Sequence, residues 1–408
     1  MANQRELILI NISGPDKSGI TAELTGILAR YDADILDIGQ ADIHHTLSLG
    51  ILFKTDSHRS GEILKELLFK TNDLNVKVSF NIISEQEYDS WVSRQGKNRY
   101  IVTILGRKIT ARQISSVSGI IAEQGLNIET ITRLTGRMPL DEREQPAAKG
   151  CVEFSVRGNI NDKEKMQSDF MRLASELNFD ISMQEDTMYR RSRRLICFDM
   201  DSTLIKTEVI DELADRAGVG EEVRRITESA MRGEIDFKES FTQRVRLLKG
   251  LDVSVMKEIA ENLPITEGVE RLMEVLKRSG YKTAILSGGF TYFGNYLKQR
   301  FGFDYVYANE LEIGEDGRLT GNYVGDIVDG QRKRELLRLL AQVENINIAQ
   351  TIAVGDGAND LPMLSEAGLG IAFHAKPKVK AEAQQSISTI GIDGVLYFLG
   401  FKDSYIKD

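Results

Sequence analysis

The sequence predicts an α/β protein: a doubly wound parallel sheet with a helical cap, preceded by two small α+β domains. Three observations carry that prediction. Apolar runs at 195–198, 281–286 and 351–354 each lead straight into a polar loop, and they alternate with helical segments at 267–278, 292–301 and 332–344. The stretch 208–263 is helical without an interrupting strand, and Ile210, Leu213, Ala214 and Ala217 are spaced for an amphipathic face, as in a cap standing over a strand end. Ahead of these, a β-α-β-β-α-β order is read twice, which is the ferredoxin-like arrangement.

The first copy opens with a strand over 7–12, closed by the turn Ser13-Gly14-Pro15-Asp16-Lys17-Ser18-Gly19. A helix follows in which Ile20, Leu24, Ile27 and Leu28 recur at helical spacing, with Ser18 as its N-cap. Strands over 33–43 and 46–54, a helix over 61–71 and a strand over 76–83 complete it. The second copy places strands at 100–105, 126–134, 151–157 and 179–183, and helices at 111–123 and 162–177. The letters repeat too: Thr25-Gly26-Ile27-Leu28-Ala29 matches Ser118-Gly119-Ile120-Ile121-Ala122 at an offset of 93 residues, a duplicated domain rather than a solenoid. The domains expected are 1–84, a polar linker over 85–98, 99–186, and a larger α/β domain over 187–408 with its cap at about 208–263. Residues 135–150, with Pro139, Pro146 and many charges, read as a long hairpin loop, 311–320 as a hairpin, and 370–373 as a further short strand-like run.

A chain of 408 residues suits two or three cores, and 41% apolar with 28% charged residues is the composition of soluble globular protein. A net charge of −9 argues against bulk attraction to nucleic acid or anionic membrane. No apolar run approaches the roughly 20 residues of a membrane span. The N-terminus lacks the long apolar core of a signal peptide. The expectation is a cytoplasmic protein with no nucleic-acid and no membrane partner. Cys151 and Cys197, far apart and in strand-like runs, read as buried thiols. Arg190, Arg191, Arg193 and Arg194 have no interleaved aromatic beyond Tyr189 and read as a solvated or inter-domain linker. His374 has no metal or triad partner nearby and reads as structural.

The chemistry centres on the run Leu195-Ile196-Cys197-Phe198, which suits a strand buried on both faces. Asp199 and Asp201 follow it two residues apart, so they share one small volume beyond the strand's C-terminal end, where open α/β sheets bind ligands. Crowded carboxylates are costly unless a cation or a proton neutralises them. Asp356 and Asp360 add hard oxygen ligands of the kind Mg²⁺ takes together with phosphate. Ser287 and the N–H groups near Gly288 and Gly289 suit phosphate oxygens, and Lys333 is a candidate for a fixed positive charge.

In this order, Asp199-Met200-Asp201-Ser202-Thr203, Leu286-Ser287-Gly288-Gly289, Lys333 and Gly355-Asp356-Gly357-Ala358-Asn359-Asp360 resemble the motifs of the haloacid dehalogenase superfamily of phosphatases, over about residues 193–402. Within it, Glu208-Val209-Ile210-Asp211, the stretch from Met231 to Phe237 and Arg244-Val245 resemble the phosphoserine phosphatase family; Met200 stands where phenylalanine is usual, an apolar exchange. The resemblance implies Mg²⁺-dependent hydrolysis of O-phosphoserine through an aspartyl-phosphate, the last step of serine biosynthesis. It makes Asp199 the nucleophile and Asp201 the general acid and base. Asp199, Asp356 and the Asp201 backbone carbonyl become metal ligands. It puts Ser287, Gly288 and Lys333 on phosphate, and gives Asn359 and Asp360 the support of the metal and substrate loop. Glu208 meets the substrate ammonium, Arg244 its carboxylate, and Met231 with Phe237 closes the pocket. The alternative reaction is phosphoryl transfer from Asp199 to an acceptor alcohol such as homoserine. Residues 5–186 resemble two ACT domains, regulatory modules that bind amino acids between paired modules. Gly14-Pro15-Asp16-Lys17-Ser18-Gly19 matches that family's first loop, so Gly14 and Asp16 are candidate contacts for an amino-acid effector; Gly106-Arg107-Lys108 replaces it in the second copy. A homodimer is the assembly this resemblance implies.

Overall fold

The computed structural model describes residues 5–93, 98–140, 147–232 and 234–406. The chain divides into two compact units, 1–97 and 98–408. In the first unit, β1 (Arg5–Pro15), β2 (Asp34–Ile43), β3 (Thr46–Asp56) and β4 (Lys77–Ile83) form an antiparallel sheet in the order β2-β3-β1-β4, packed against α1 (Ile20–Arg30) and α2 (Ser57–Asp73). Side chains alternate along a strand, so Ile8, Ile10 and Ile12 of β1 and Leu47, Leu49, Ile51 and Phe53 of β3 all face one way, onto Leu24, Leu28, Ile63 and Leu67. Ser18 is not the cap of α1. Gly19 holds that position at a φ of 94°, open to glycine at little cost, and no side chain caps the helix. Within the expected linking segment, residues 85–93 form a helix, α3 (Glu85–Ser93). Glu87 accepts from the Ser84 N–H and O–H, and its own N–H donates to Ser84 Oγ, a reciprocal cap that starts the helix.

The second unit holds two sheets. Strands β5 (Arg99–Gly106), β6 (Asn127–Arg133), β7 (Gly150–Arg157) and β8 (Asp180–Glu185) repeat the first pattern in the order β6-β7-β5-β8, packed with α4 (Ala111–Glu123) and α5 (Lys163–Leu177). The larger sheet comprises β9 (Leu195–Phe198), β10 (Lys282–Phe290), β11 (Tyr305–Ile313), β12 (Leu319–Val324), β13 (Thr351–Gly355), β14 (Leu369–Phe373) and β15 (Gln385–Ile387). Its order is β12-β11-β10-β9-β13-β14-β15, parallel throughout except for β12, which returns from β11 as the expected hairpin. The first half of β11 and the short β15 go beyond the sequence reading. Four helices, α6 (Val209–Ala217), α7 (Gly220–Met231), α8 (Phe237–Leu247) and α9 (Ser254–Glu261), make the cap, and α10 (Val269–Arg278), α11 (Thr291–Phe301), α12 (Gly330–Val343) and α13 (Leu361–Glu366) flank the sheet. The two chain crossings between cap and sheet run side by side: Lys206 N–H donates to Pro264 O at 2.8 Å and Thr266 N–H to Leu204 O at 3.0 Å. Among the described residues no helix is long and apolar enough to cross a membrane.

The β5–β8 domain is built onto the larger sheet. Leu105, Leu134 and Cys151 share one core with Ile392, Leu396 and Tyr397. Asp180 accepts from the Ser388 and Thr389 N–H groups at 2.7 and 2.9 Å, and the Gln385 amide pairs with both backbone groups of Met183. Arg190 and Arg193, expected in a solvated or inter-domain linker, are not solvated: they are 6% and 5% exposed. Arg190 pairs with Glu153 and Arg193 donates to Gln184, so their stems and guanidinium groups fill the seam. Burial, with the like charge of Arg190 beside it, lowers the pKa of Arg193 to about 10. Cys151 and Cys197 are buried thiols, both pushed up by burial. His374 is held structurally, by a 2.9 Å contact of Nε2 with Ile390 O.

Candidate active site

β9 lies in the middle of the sheet between β10 and β13, so the loops leaving these three strands converge beyond their C-terminal ends. Asp199 extends the ladder by one bond, its N–H donating to Val354 O at 2.9 Å, and this anchors its side chain at the sheet edge. Its Oδ1 accepts from Met200 N–H at 2.7 Å and lies 2.8 Å from Lys333 Nζ. Lys333, fully buried on α12, also reaches Asp360 Oδ1 at 2.7 Å, and Asp360 Oδ2 accepts from Gly357 N–H at 3.0 Å. Carboxylate oxygens of Asp199, Asp356 and Asp360 lie within 4.8 Å of one another.

Electrostatics fit a cation here. Burial first, and then the carboxylate of Asp360, raises the pKa of Asp199; the same causes raise Asp356 to about 7. Burial disfavours the Lys333 ammonium, but Asp199 and Asp360 together outweigh it and raise its pKa. One ammonium facing three crowded carboxylates leaves negative charge over. The donors are all hard oxygens, the set a divalent cation such as Mg²⁺ or Ca²⁺ takes.

Asp201 occupies a different environment. Its Oδ1 accepts from Val209 N–H, the first residue of α6, at 3.2 Å, and burial followed by the nearby Glu208 raises its pKa. A Cβ on Gly289 would come within 2.5 Å of Asp201 Oδ2, so a side chain there would displace the Asp201 carboxyl. Ser287 is fully buried, and its Oγ accepts from Gly289 N–H at 3.0 Å. Ser202, at a φ of 56°, donates to Glu208 at 2.8 Å, tying the aspartate loop to the cap entrance. From the cap, Arg244 lies in the field of Glu208, Asp211 and Asp201, while burial lowers its pKa against their pull. Its guanidinium donates to Ser240 O at 3.3 Å and Thr227 Oγ1 at 3.5 Å. Phe237 stacks on Phe241 and stands over Gly288, where a Cβ would meet it at 3.2 Å.

Asn359 is half-buried beside Gly357, where a Cβ would overlap its Oδ1. Met231 ends α7, and its side chain falls outside the described residues. Gly14 and Asp16 belong to the first unit: a Cβ on Gly14 would press within 2.9 Å of Val76, and Asp16 N–H donates to His45 O at 2.9 Å. Two polar residues escaped the sequence reading as individuals. Thr203, inside the first motif, donates to Asp356 at 3.1 Å. Asn309, in a half-strand of mixed character, carried no motif at all.

Fold and site together are those of a haloacid dehalogenase-like hydrolase, and the family model of that description matches residues 193–368, with ACT domain models matching 6–81 and 99–184. Relatives extend over nearly the whole chain. A phosphoserine phosphatase of Streptomyces coelicolor is 39% identical over 96% of this chain and 92% of its own, and one of Mycobacterium tuberculosis is 37% identical over 96% and 93%. Among solved structures, a probable phosphoserine phosphatase from Vibrio cholerae superposes with a TM-score of 0.59 at 35% identity, covering 74% of this chain and 86% of that one. The chain belongs to the phosphoserine phosphatase family.

Proposed function

We propose that this chain hydrolyses O-phospho-L-serine to L-serine and phosphate through an aspartyl-phosphate, the acyl phosphate of Asp199, as the last step of serine biosynthesis in the cytoplasm. One observation carries the mechanism: two aspartates on one strand end sit in unlike surroundings, Asp199 against a buried ammonium and Asp201 under a helix N-terminus beside Glu208. Unlike surroundings let two carboxyl groups divide nucleophile from acid. Asp199, oriented by Lys333 and Met200 N–H, attacks phosphorus. Asp201, whose raised pKa favours the protonated form, gives its proton to the departing serine oxygen and then takes one from the water that hydrolyses the aspartyl-phosphate. Ser287, the Gly288 N–H and Lys333 hold phosphate oxygens, with Asn359 and Asp360 supporting that loop. Asp199, Asp356 and the Asp201 carbonyl would hold Mg²⁺, which would supply the positive charge that lets an anionic carboxylate meet a phosphate dianion. Glu208 takes the substrate ammonium and Arg244 its carboxylate in a two-pronged contact, while Phe237 and Met231 exclude water. Residues 1–84 and 99–186 serve regulation and assembly, with an amino-acid effector at Gly14 and Asp16 and a homodimer as the working unit. The edge strand β2, with Ile35, Ile38 and Ile43 exposed, supports assembly.

The test is phosphate release from O-phosphoserine with Mg²⁺. Asn at position 199 keeps the shape and removes the nucleophile, so Asp199→Asn should abolish turnover with the fold intact; full turnover by that folded variant would sink the mechanism. Phosphate release equal to serine release in the presence of homoserine decides for hydrolysis over transfer.

A further inference from the structure

We propose that Asn309 is a positioning residue for the substrate phosphate, its single amide fixing the 287–289 loop to the segment that launches the helix of Lys333. The inference rests on the reading above of that loop and lysine as the phosphate cradle. β10 and β11 pair regularly up to Leu286 opposite Tyr307, and the next pair is Phe290 opposite Asn309. Four steps along β10 thus face two along β11, so residues 287–289 bulge out of the ladder toward the site. The bulge takes the Gly288 carbonyl away from its regular backbone partner, and an unpaired buried carbonyl is costly. Asn309 replaces that partner: Nδ2–H donates to Gly288 O at 2.8 Å, and Asn309 is 2% exposed.

The other end of the same amide reaches a second element. Asn309 Oδ1 accepts from Val328 N–H at 2.8 Å. The next residue, Asp329, caps α12 by accepting from Arg332 N–H at 2.8 Å, and one turn into that helix stands Lys333. One rigid planar group therefore spaces the N–H groups of the bulge against the lysine ammonium, the two sources of positive charge on the phosphate. The chemistry requires an amide. A leucine of like size would orphan both partners, and an ionised carboxylate would accept from Val328 but repel the Gly288 oxygen.

The experiment uses the full chain with Mg²⁺ and measures steady-state kinetics on O-phosphoserine and on an aryl phosphate, together with calorimetric binding of inorganic phosphate. Asn309→Ala should weaken phosphate binding and raise KM for both esters by about ten-fold, within the cost of the amide's two lost hydrogen bonds, leaving the preference between the two esters unchanged. A lowered melting temperature with unaltered phosphate affinity would overturn the proposal, because the amide would then be structural only. Asn309→Asp gives an independent reading, since a protonated carboxyl offers the same donor and acceptor as the amide. Its activity, taken as a ratio to the parent at each pH so that shared titrating groups cancel, should rise as pH falls from about 8 to about 5.5, burial keeping the introduced group's pKa high. A flat ratio also overturns the proposal, and decides the matter if Asn309→Ala does not fold. Phosphate binding is read without turnover, so a parent chain that binds phosphate but spares O-phosphoserine would refute the function and not the role of Asn309.

Discussion

Replacing Lys333 by methionine asks whether the buried charges hold one another in place. Nζ lies 2.7 Å from Asp360 and 2.8 Å from Asp199, and the side chain is fully buried. Methionine fills most of that volume without the charge. Breaking a buried pair by removing one partner costs roughly 3–5 kcal/mol, because the remaining charge stays desolvated and uncompensated. Two carboxylates are orphaned here, so Lys333→Met should lose about 5 kcal/mol at about pH 8, a large part of the ~5–15 kcal/mol that holds a domain folded. Acid relieves the loss. The carboxyl of Asp199 is already raised in the parent, and without the ammonium it rises further. Between the ordinary carboxylate range and that raised value the native state holds more protons than the unfolded chain, so stability falls as pH rises through this window. The deficit relative to the parent should therefore shrink at about pH 5.5, and shrink also when a divalent cation neutralises the same oxygens. Urea unfolding followed by far-ultraviolet circular dichroism measures it. Trp91, the chain's single tryptophan, lies on α3 of the first unit and supplies a fluorescence reference expected to stay constant. An equal deficit at both pH values would refute the reasoning, since the cost would then be one of packing.

Arg244→Lys should lower kcat/KM for O-phosphoserine by roughly 10–100-fold, the loss of a two-pronged charged contact, and leave an aryl phosphate without a carboxylate nearly unaffected. Equal losses on both substrates would remove the carboxylate role. Gly289→Ala puts a methyl 2.5 Å from Asp201 Oδ2 and 2.8 Å from Met200 Cε, so kcat should drop by about 100-fold with circular dichroism unchanged. Undiminished turnover would show that the acid has room to move. Asp356, raised to about 7, holds a proton at pH 6 where a cation would otherwise sit, so apparent metal affinity should increase from about pH 6 to about pH 8. Titration of the chelator-treated protein measures this, and a pH-independent affinity would contradict it.

The place of the candidate site was legible because buried parallel strands leave a simple trace. Leu195 to Phe198 are all buried, and an apolar run that stops at an aspartate marks a strand end. The strand Tyr305–Ile313 left no such trace: Tyr305 to Ala308 are only half-buried, and it pairs parallel on one side and antiparallel on the other. With that half-strand went Asn309, whose role depends on a register shift that no periodicity reveals. β15 is three residues long and is held by partners across the seam, among them Met183, rather than by its own pattern. The start of α3 was written in the letters, Ser84 and Glu87 at capping-box spacing, and the polar composition of the stretch hid it. Arg190 and Arg193 show the limit of composition: a charge run faces water unless tertiary partners exist, and Glu153 and Gln184 are remote in sequence.

The seam also gives a physical reason for the way the two ACT copies differ. They keep the same helix-core pattern, Ile27 and Leu28 in one and Ile120 and Ile121 in the other, and they part at the loop after the first strand. In the second copy Arg107 donates through Nη1 and Nη2 to both Glu267 oxygens, at 2.9 and 2.7 Å, and through Nε to Thr389 O at 3.1 Å. Three donors of one guanidinium are thus engaged by the catalytic half, a planar fork that lysine has no means to copy. In the second copy the loop after the first strand is thus a docking contact with the catalytic half. Glu267 directly follows the returning crossing from the cap, where Thr266 N–H donates to Leu204 O. Leu204 lies three residues beyond Asp201, so the second ACT domain is fastened beside the crossing that joins the cap to the strand bearing the aspartates.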